Sequence, residues 1–198
     1  LGEDGPTHQP IEHLVTLRST PNLVNWRPAD LVETAVAWKE AVISTATPTC
    51  LIFSRQGTSA IQRNSEQLTE IHNGGYLLES CDNPDITIIA SGSEVQLALD
   101  ASKELENDSI KSNIVSMPSL DKFLEMPEEY QNKILNSDKP ILVVECSHPN
   151  SWYKILNRND KVLGIESFGE SAPGNQLLEH FGFTVDNVIE MAKSLVND

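Results

Sequence analysis

The sequence predicts an α/β protein whose C-terminal part is a three-layer domain built on a mostly parallel sheet, preceded by a smaller α/β unit. Short apolar runs of strand length alternate with stretches of helical periodicity along most of the chain. A strand followed by a helix, repeated several times, packs as a parallel sheet with helices on its faces. Apolar residues make up 39% of the 198 residues, an ordinary share for a globular protein with a buried core.

Residues 10–54 predict two helices and two strands. Ile11, Leu14 and Val15 have helical spacing and follow a loop rich in glycine and proline. Asp30 is expected to cap the second helix, because an aspartate side chain accepts hydrogen bonds from the first helical turn. That helix carries an apolar face made of Leu31, Thr34, Ala35, Trp38 and Val42. In chain order, the predicted elements are a helix at about 10–19, a strand at 23–26, a helix at 30–45 and a strand at 49–53.

Residues 57–83 are polar and short of periodic pattern, which predicts a connector that carries one short strand at 76–79. After it, the alternation of strands and helices resumes. The predicted strands are 86–90, 110–116, 140–145 and 161–165, and the predicted helices are about 95–106, 120–123, 127–135, 174–181 and 184–196. The turn at 91–94 resembles a phosphate-binding turn. It lacks the glycine pattern and the lysine of established phosphate loops, which favours a capped helix start.

The formal net charge of −15 argues against partners such as nucleic acid or an anionic membrane, since either needs a basic face. No apolar run reaches the roughly 18 residues of a membrane span, and no secretory signal pattern is visible. Three single cysteines without metal-ligand or redox spacing favour a reducing, cytoplasmic location. Four of the five arginines lie within residues 1–65, so if the protein binds an anionic small molecule, we expect the site in that part of the chain.

The segment that says most about function is the polar loop, residues 2–10. Its glycines and prolines restrict the backbone, and its reactive side chains are Glu3, Asp4, Thr7 and His8. Because a helix follows, unpaired N–H groups at its start favour an anionic partner nearby. A plain surface turn is the alternative. Arg55 follows the strand predicted at 49–53, at the sheet edge where ligands collect in α/β folds, with a solvated loop arginine as the alternative.

The string Gly-Glu-Asp-Gly-Pro-Thr-His-Gln-Pro-Ile-Glu-His at 2–13 resembles the sugar-phosphate-binding loop of transketolases. The resemblance continues in register over essentially the whole chain. Its further motifs are Pro-Asn-Leu at 21–23, Arg-Pro-Ala-Asp at 27–30, Ser-Arg-Gln at 54–56, Gly-Gly-Tyr at 74–76, Asn-Pro-Asp-Ile at 83–86, Gly-Ser-Glu-Val at 92–95, Val-Ser-Met-Pro at 115–118, Phe-Gly-Glu-Ser-Ala-Pro-Gly at 168–174 and Phe-Gly-Phe-Thr at 181–184. The first motif is highly specific, and the later ones support it.

The resemblance implies a fragment of a thiamine-diphosphate enzyme with three domains per subunit. Residues 1–65 would be the C-terminal part of the pyrimidine-binding domain, 66–84 a linker and 85–198 the transketolase C-terminal domain. The missing part would hold the cofactor's diphosphate and its divalent metal, Mg²⁺ or Ca²⁺. The fragment alone is therefore expected to bind neither and to be inactive. The complete enzyme is expected to be a homodimer or to assemble with an N-terminal half subunit.

The same resemblance implies a role for three residues. Asp4 would hydrogen-bond the C2 hydroxyl of an aldose acceptor, and Arg55 would bind the terminal phosphate of the sugar. His8 would be catalytic, moving or stabilising protons on substrate hydroxyls, as well as substrate-binding. The expected reaction is transfer of a two-carbon ketol unit from a ketose phosphate to an aldose phosphate in the pentose phosphate pathway.

The chain departs from the usual family pattern at Leu31-Val32 and at Gly57-Thr58-Ser59, the latter beside the expected phosphate contact. These departures favour an alternative, a non-catalytic module for dimerisation or regulation. A related sugar-phosphate enzyme, such as dihydroxyacetone synthase or deoxyxylulose-phosphate synthase, is the other alternative. The combination of Asp4, His8 and Arg55 favours the transketolase reaction.

Overall fold

The computed structural model of the chain describes residues 3–197, so Gly2 of the polar loop lies outside the described residues. Its first part has the expected order of helix, strand, helix and strand. These elements are α1 (Glu12–Arg18), β1 (Val24–Trp26), α2 (Leu31–Ile43) and β2 (Thr49–Leu51). The two strands form a parallel pair in which Asn25 lies opposite Cys50. The first unit of the chain, residues 3–63, therefore contains a sheet of only two strands.

Helix α2 begins at the predicted cap. The Asp30 side chain accepts a hydrogen bond from the backbone N–H of Glu33 at 3.1 Å. The apolar face predicted for this helix is nevertheless largely in contact with solvent: Leu31 is 80%, Trp38 54% and Val42 75% exposed. The buried side of α2 instead carries Glu33 and Ala37, because the C-terminal part of the chain packs against that side.

The stretch from 57 to 83 contains more structure than a plain connector. Strand β3 (Tyr76–Glu79) lies where a strand was predicted, but a helix α3 (Ser65–Glu70) and a short 3-10 helix (Ile71–Asn73) precede it. Asn64 and Gln67 exchange side-chain to backbone hydrogen bonds at the start of α3. This capping box was the available sequence signal, since six residues are too few for a periodic pattern. The domain boundaries at 65–66 and 84–85 stay a prediction.

The C-terminal part is the predicted three-layer, mostly parallel α/β domain. Its sheet has the order β3-β5-β4-β6-β7, with β3 antiparallel and the other neighbours parallel. Its remaining elements are β4 (Ile86–Ala90), α4 (Glu94–Asn107), β5 (Ser112–Ser116), α5 (Leu120–Leu124), α6 (Glu128–Leu135), β6 (Ile141–Val144), a 3-10 helix (Pro149–Ser151), β7 (Lys161–Leu163), α7 (Gly174–His180) and α8 (Val185–Asn197).

Two separate hydrophobic clusters show that helices cover both faces of this sheet. On β4, Ile88 packs into the cluster that contains residues of α4 and α8, whereas its neighbour Ile89 packs into the cluster that contains Phe123 and Trp152. Successive strand residues point to opposite faces, so both can be fully buried only when both faces are covered. All five residues of β4 are buried.

The strand order determines where the first unit docks. The chain leaves β4 towards β5 and returns to β6 on the other side of β4, so this sheet has a topological switch point between β4 and β6. Ligands collect at the carboxyl ends of strands beside such a point. Here the first unit lies against it: the N–H of Gly92 donates to the Arg27 carbonyl at 3.0 Å, and the N–H of Arg27 donates to the Pro118 carbonyl at 2.7 Å.

Among the described residues, no helix is both long and apolar enough to cross a lipid bilayer.

Burial of β4 predicts a large difference between two aliphatic truncations. Ile88→Ala should lower the free energy of unfolding by about 2–5 kcal/mol, because Ile88 is fully buried and its surroundings relax only partly around the cavity left behind. Leu31→Ala should change it by less than about 0.5 kcal/mol, because Leu31 lies on the exposed face of α2. Urea unfolding followed by circular dichroism measures both. An equal loss in the two variants would mean that the face of α2 is covered in solution.

Candidate functional site

The three side chains predicted to act together lie around one cavity. Asp4, His8 and Arg55 all line a space of about 500 Å³ between the polar loop, the segment after β2 and the C-terminal domain. Asp4 and Arg55 form an ion pair across its entrance, with side chains that are 40% and 65% exposed. The Nδ1 atom of His8 lies 3.0 Å from the hydroxyl of Thr7. The structure therefore brings together all three residues singled out from the sequence.

The polar loop owes its shape to a turn at Gly5. Gly5 has a φ of +70°, a conformation that favours glycine, and its carbonyl accepts hydrogen bonds from the N–H groups of His8 and Gln9 at 3.2 and 3.0 Å. The C-terminal domain supports the loop from outside. The hydroxyl of Ser171 donates to the carbonyl of Glu3, and a side chain at position 5 would lie against Ser171.

Behind the cavity lies a buried carboxylate that the sequence analysis did not single out. Glu145 follows β6 and is fully buried. Arg18, at the end of α1, donates to both of its oxygens at 2.7 and 2.8 Å. The hydroxyl of Ser147 and the indole N–H of Trp152 donate to it at 2.6 and 2.8 Å, and Ser91 donates as well. The available signal was a carboxylate directly after an apolar strand.

These contacts control the protonation of Glu145. Burial by itself raises the pKa of the carboxyl, but the adjacent Arg18 guanidinium, together with Arg27 and Ser147, outweighs burial. The pKa of Glu145 is therefore held well below its ordinary value of 4.5. At neutral pH Glu145 is therefore ionised.

A second buried pair fills the turn at 91–94. Arg27 lies 2.5 Å from Glu94 and donates to the Ser91 carbonyl at 2.6 Å. Its guanidinium occupies the space beside Gly92 that a side chain there would need. The turn is therefore a helix start whose space the chain's own side chains fill. Arg27, Glu94 and the neighbouring Cys146 also line the inner part of the cavity, and burial together with the Glu94 charge raises the pKa of the Cys146 thiol.

Comparison with known proteins identifies the family. A family model of the transketolase-like C-terminal domain matches residues 74–184, and a model of the transketolase pyrimidine-binding domain matches residues 1–59. The chain belongs to the transketolase family. The match to the pyrimidine-binding domain ends before α3, and the match to the C-terminal domain begins just before β3, in agreement with the two units seen in the fold.

Individual transketolases are similar over nearly the whole chain. Transketolase 1 of Vibrio parahaemolyticus and transketolase 1 of Escherichia coli are each 47% identical over 198 residues, which is 99% of this chain. The chain spans only about 30% of the length of these relatives. The chain therefore corresponds to only a part of each of these transketolases.

Solved transketolase structures have the same fold. A Pichia stipitis transketolase in complex with sedoheptulose-7-phosphate is 42% identical, with a TM-score of 0.92 over 99% of this chain and 28% of its own. The Leishmania mexicana transketolase is 38% identical with the same TM-score over 99% of this chain and 28% of its own. A split-gene transketolase described as an inactive β4 tetramer is 25% identical, with a TM-score of 0.78 over 98% of this chain and 64% of its own.

A second ionic cluster joins the two transketolase units at a distance from the cavity. Glu33 of α2 is fully buried and accepts hydrogen bonds from Tyr76 at 2.7 Å, Ser116 at 2.6 Å and the backbone N–H of Ala29 at 2.7 Å. Arg63 lies 3.2 Å from Glu33 and 2.7 Å from Asp30. Glu33 does not line the cavity. The interface is thus held by two ionic clusters, of which only the first adjoins the candidate site.

Within residues 3–197, no group of three histidine, cysteine, aspartate or glutamate side chains is arranged to hold a metal ion. The ionisable side chains that line the cavity are three carboxylates, two imidazoles and two guanidinium groups: Asp4, Glu94, Glu170, His8, His13, Arg27 and Arg55. This set fits a hydroxylated, anionic guest. Its carboxylates are not gathered into one cluster among the described residues, so it does not fit a diphosphate bound through a divalent cation, which needs several oxygen ligands.

The buried and exposed ion pairs should respond differently to substitution. At pH 7, Glu145→Gln should lower the free energy of unfolding by about 3–5 kcal/mol, since it leaves the buried guanidinium of Arg18 without its counter-charge and removes one of the two carboxylates beside Arg27. Asp4→Asn should change it by less than about 1 kcal/mol, because the pair with Arg55 is screened by solvent. Urea unfolding at equilibrium measures both. A similar small effect in both variants would contradict the charge assignment at Glu145.

The lowered pKa of Glu145 also predicts a pH dependence. A carboxyl whose pKa is lower in the folded state stabilises the fold fully above its unfolded value, here about 4.5, and that contribution is lost as the pH falls below it. The free energy of unfolding should therefore fall more steeply between pH 5 and pH 3 in the wild type than in Glu145→Gln. Parallel curves for the two proteins would argue against this contribution.

Proposed function

We propose that this chain is part of a transketolase that transfers a two-carbon ketol unit from a ketose phosphate to an aldose phosphate, as in the pentose phosphate pathway. The observation that carries the proposal is the convergence of Asp4, His8 and Arg55 on one cavity. The Pichia stipitis relative described in complex with sedoheptulose-7-phosphate supports the choice of sugar phosphates as substrates.

Arg55 and Asp4 are suited to exchange their mutual ion pair for the substrate. The pair is exposed, so separating its members costs at most about 1 kcal/mol. The terminal phosphate of the sugar then binds to the guanidinium of Arg55, whose planar donors match phosphate oxygens. The C2 hydroxyl of an aldose donates to the freed carboxylate of Asp4. In this proposal the ion pair keeps both side chains in place until the substrate arrives.

His8 is proposed to manage protons on substrate hydroxyls. Histidine is suited to this task because an imidazole ring can both accept and donate a proton. When the Thr7 hydroxyl donates to Nδ1, the neutral ring carries its proton on Nε2. That proton is then available to a substrate oxygen in the cavity.

The carbanion chemistry of the reaction is supplied by thiamine diphosphate with a divalent metal, Mg²⁺ or Ca²⁺. The donor set of this chain suits the sugar and not the metal-bound diphosphate, so we place the cofactor's diphosphate in a part of the enzyme beyond these residues. The chain alone is therefore expected to be inactive. It would act in a homodimer of the complete enzyme or with a separate N-terminal half subunit. The cysteine usage supports a cytoplasmic location.

A non-catalytic module is the second candidate. The exposed side chains of Leu31, Trp38, Val42, Ile43 and Phe53 favour it, because an apolar surface of this kind is suited to contact with another polypeptide. The split-gene relative is described as an inactive tetramer. Both candidates require a partner polypeptide, and they differ in whether the completed assembly catalyses ketol transfer.

A chimaera separates these candidates. We would replace the matching 198 residues of Escherichia coli transketolase 1 by this chain and assay xylulose-5-phosphate with ribose-5-phosphate, in the presence of thiamine diphosphate and Mg²⁺. Ketol transfer is expected. Arg55→Ala should raise the KM of phosphorylated substrates about 10- to 100-fold, the value of a charge-assisted hydrogen bond, and leave unphosphorylated substrates less affected. His8→Ala should lower kcat on the order of 100-fold.

The matched control is Arg158→Ala, since Arg158 is an exposed arginine that does not line the cavity. It should leave KM unchanged. A folded chimaera that binds thiamine diphosphate but shows no ketol transfer would favour the module. Equal effects of Arg55→Ala and Arg158→Ala on KM would remove the phosphate role from Arg55.

A further inference from the structure

We infer that Glu145 and Ser171 of the C-terminal domain are positioning residues, which hold the polar loop and α1 so that Asp4 and His8 face the substrate. Neither residue lines the cavity, so each acts through another group. The inference rests on the proposed function for its kinetic consequence, and it has a structural consequence that does not depend on activity.

The first support lies at the end of α1. Arg18 is the last residue of this helix and reaches Glu145 with two hydrogen bonds. Its guanidinium also lies over the ring of Trp152, 5.1 Å from the ring centre. Trp152 in turn donates to the same carboxylate at 2.8 Å. The Arg18 guanidinium thus contacts both the carboxylate of Glu145 and the ring of Trp152, and these two groups are hydrogen-bonded to each other. Together they hold the end of α1.

The second support lies at the start of the polar loop. Ser171 donates to the carbonyl of Glu3, the residue before Asp4. The turn at Gly5 packs so closely on Ser171 that an added side chain atom would lie 3.3 Å from the serine Cβ. At Gly169, such an atom would lie 3.4 Å from the carbonyl of Gln9. The segment 168–171 therefore contacts the polar loop both before and after His8.

The two supports enclose the reactive part of the loop. Asp4 and His8 lie between the contact at Glu3 and the contact at Arg18, and the intervening residues are tied together by the turn at Gly5. Substrate binding and catalysis both depend strongly on such placement, and a misplacement of about 1 Å can cost about 100-fold. The cavity-lining residues alone do not supply this rigidity, because the entrance side chains are exposed.

The experiment compares two variants in the chimaera. Ser171→Ala removes one hydrogen bond at an exposed site, and Glu145→Gln keeps the shape of the side chain while removing its charge. Each should raise the KM of ribose-5-phosphate about tenfold, with a smaller change in kcat and unchanged affinity for thiamine diphosphate. Each should also increase amide hydrogen exchange in residues 3–20.

Glu33→Gln is the matched control. Glu33 is as deeply buried as Glu145 and also joins the two units, here through hydrogen bonds from Tyr76 and Ser116. None of the hydrogen bonds described for it involves the polar loop or α1. It should lower stability while leaving the KM of ribose-5-phosphate and the exchange of residues 3–20 unchanged. If it reproduces the effects of Glu145→Gln, the effect is general loosening of the interface and the inference is wrong.

The outcomes remain distinct from those of the proposed function. An inactive wild-type chimaera would overturn the proposed function, and hydrogen exchange in the 198-residue chain would still decide the positioning role. If Ser171→Ala leaves amide hydrogen exchange in residues 3–20 unchanged, Ser171 does not position the polar loop. Should Glu145→Gln fail to fold, the comparison of Ser171→Ala with Glu33→Gln decides.

Discussion

Arg18 and Arg27, both in the first unit, are buried against Glu145 and Glu94, which follow two neighbouring strands of the C-terminal sheet. Moving a charge out of water costs several kcal/mol, and the cost is offset only when partners are close and hydrogen bonds are complete. Here Glu145 accepts from Arg18, Ser147, Trp152 and Ser91. Because such a cluster tolerates few other arrangements, it specifies how the two units sit on one another.

The first unit depends on this docking. A sheet of two strands is only marginally stable without further packing, and β1 and β2 form such a pair. Trp26 and Ala37 of this unit belong to the same hydrophobic cluster as Ile88 and Leu105 of the C-terminal domain. The core of the first unit is thus continuous with that of the second. The opposite side of the first unit, which is the apolar face of α2, is exposed to solvent in the described part of the chain.

The same docking creates the candidate site. The polar loop belongs to the first unit, yet the cavity it borders is closed by α7 and by residues next to β6 and β7. Asp4, His8 and Arg55 come from one unit, and their surroundings come from both. This division explains how a domain that carries none of the three side chains can influence their placement. The polar loop is also connected through α1 to the buried ion pair of Arg18 and Glu145.

Much of this was determined by the sequence itself. Apolar runs predicted each strand of the C-terminal sheet within about two residues, Asp30 predicted a helix cap, and the resemblance of residues 2–13 to the transketolase loop singled out Asp4 and His8. These signals are local, because strand periodicity, capping and loop composition depend on neighbours in the chain. Only the tertiary structure decided which face of α2 is buried, that β3 joins the sheet as an antiparallel edge, and that Glu145 meets Arg18. The last contact joins residues 127 positions apart, and no local pattern specifies which buried charge will find which partner.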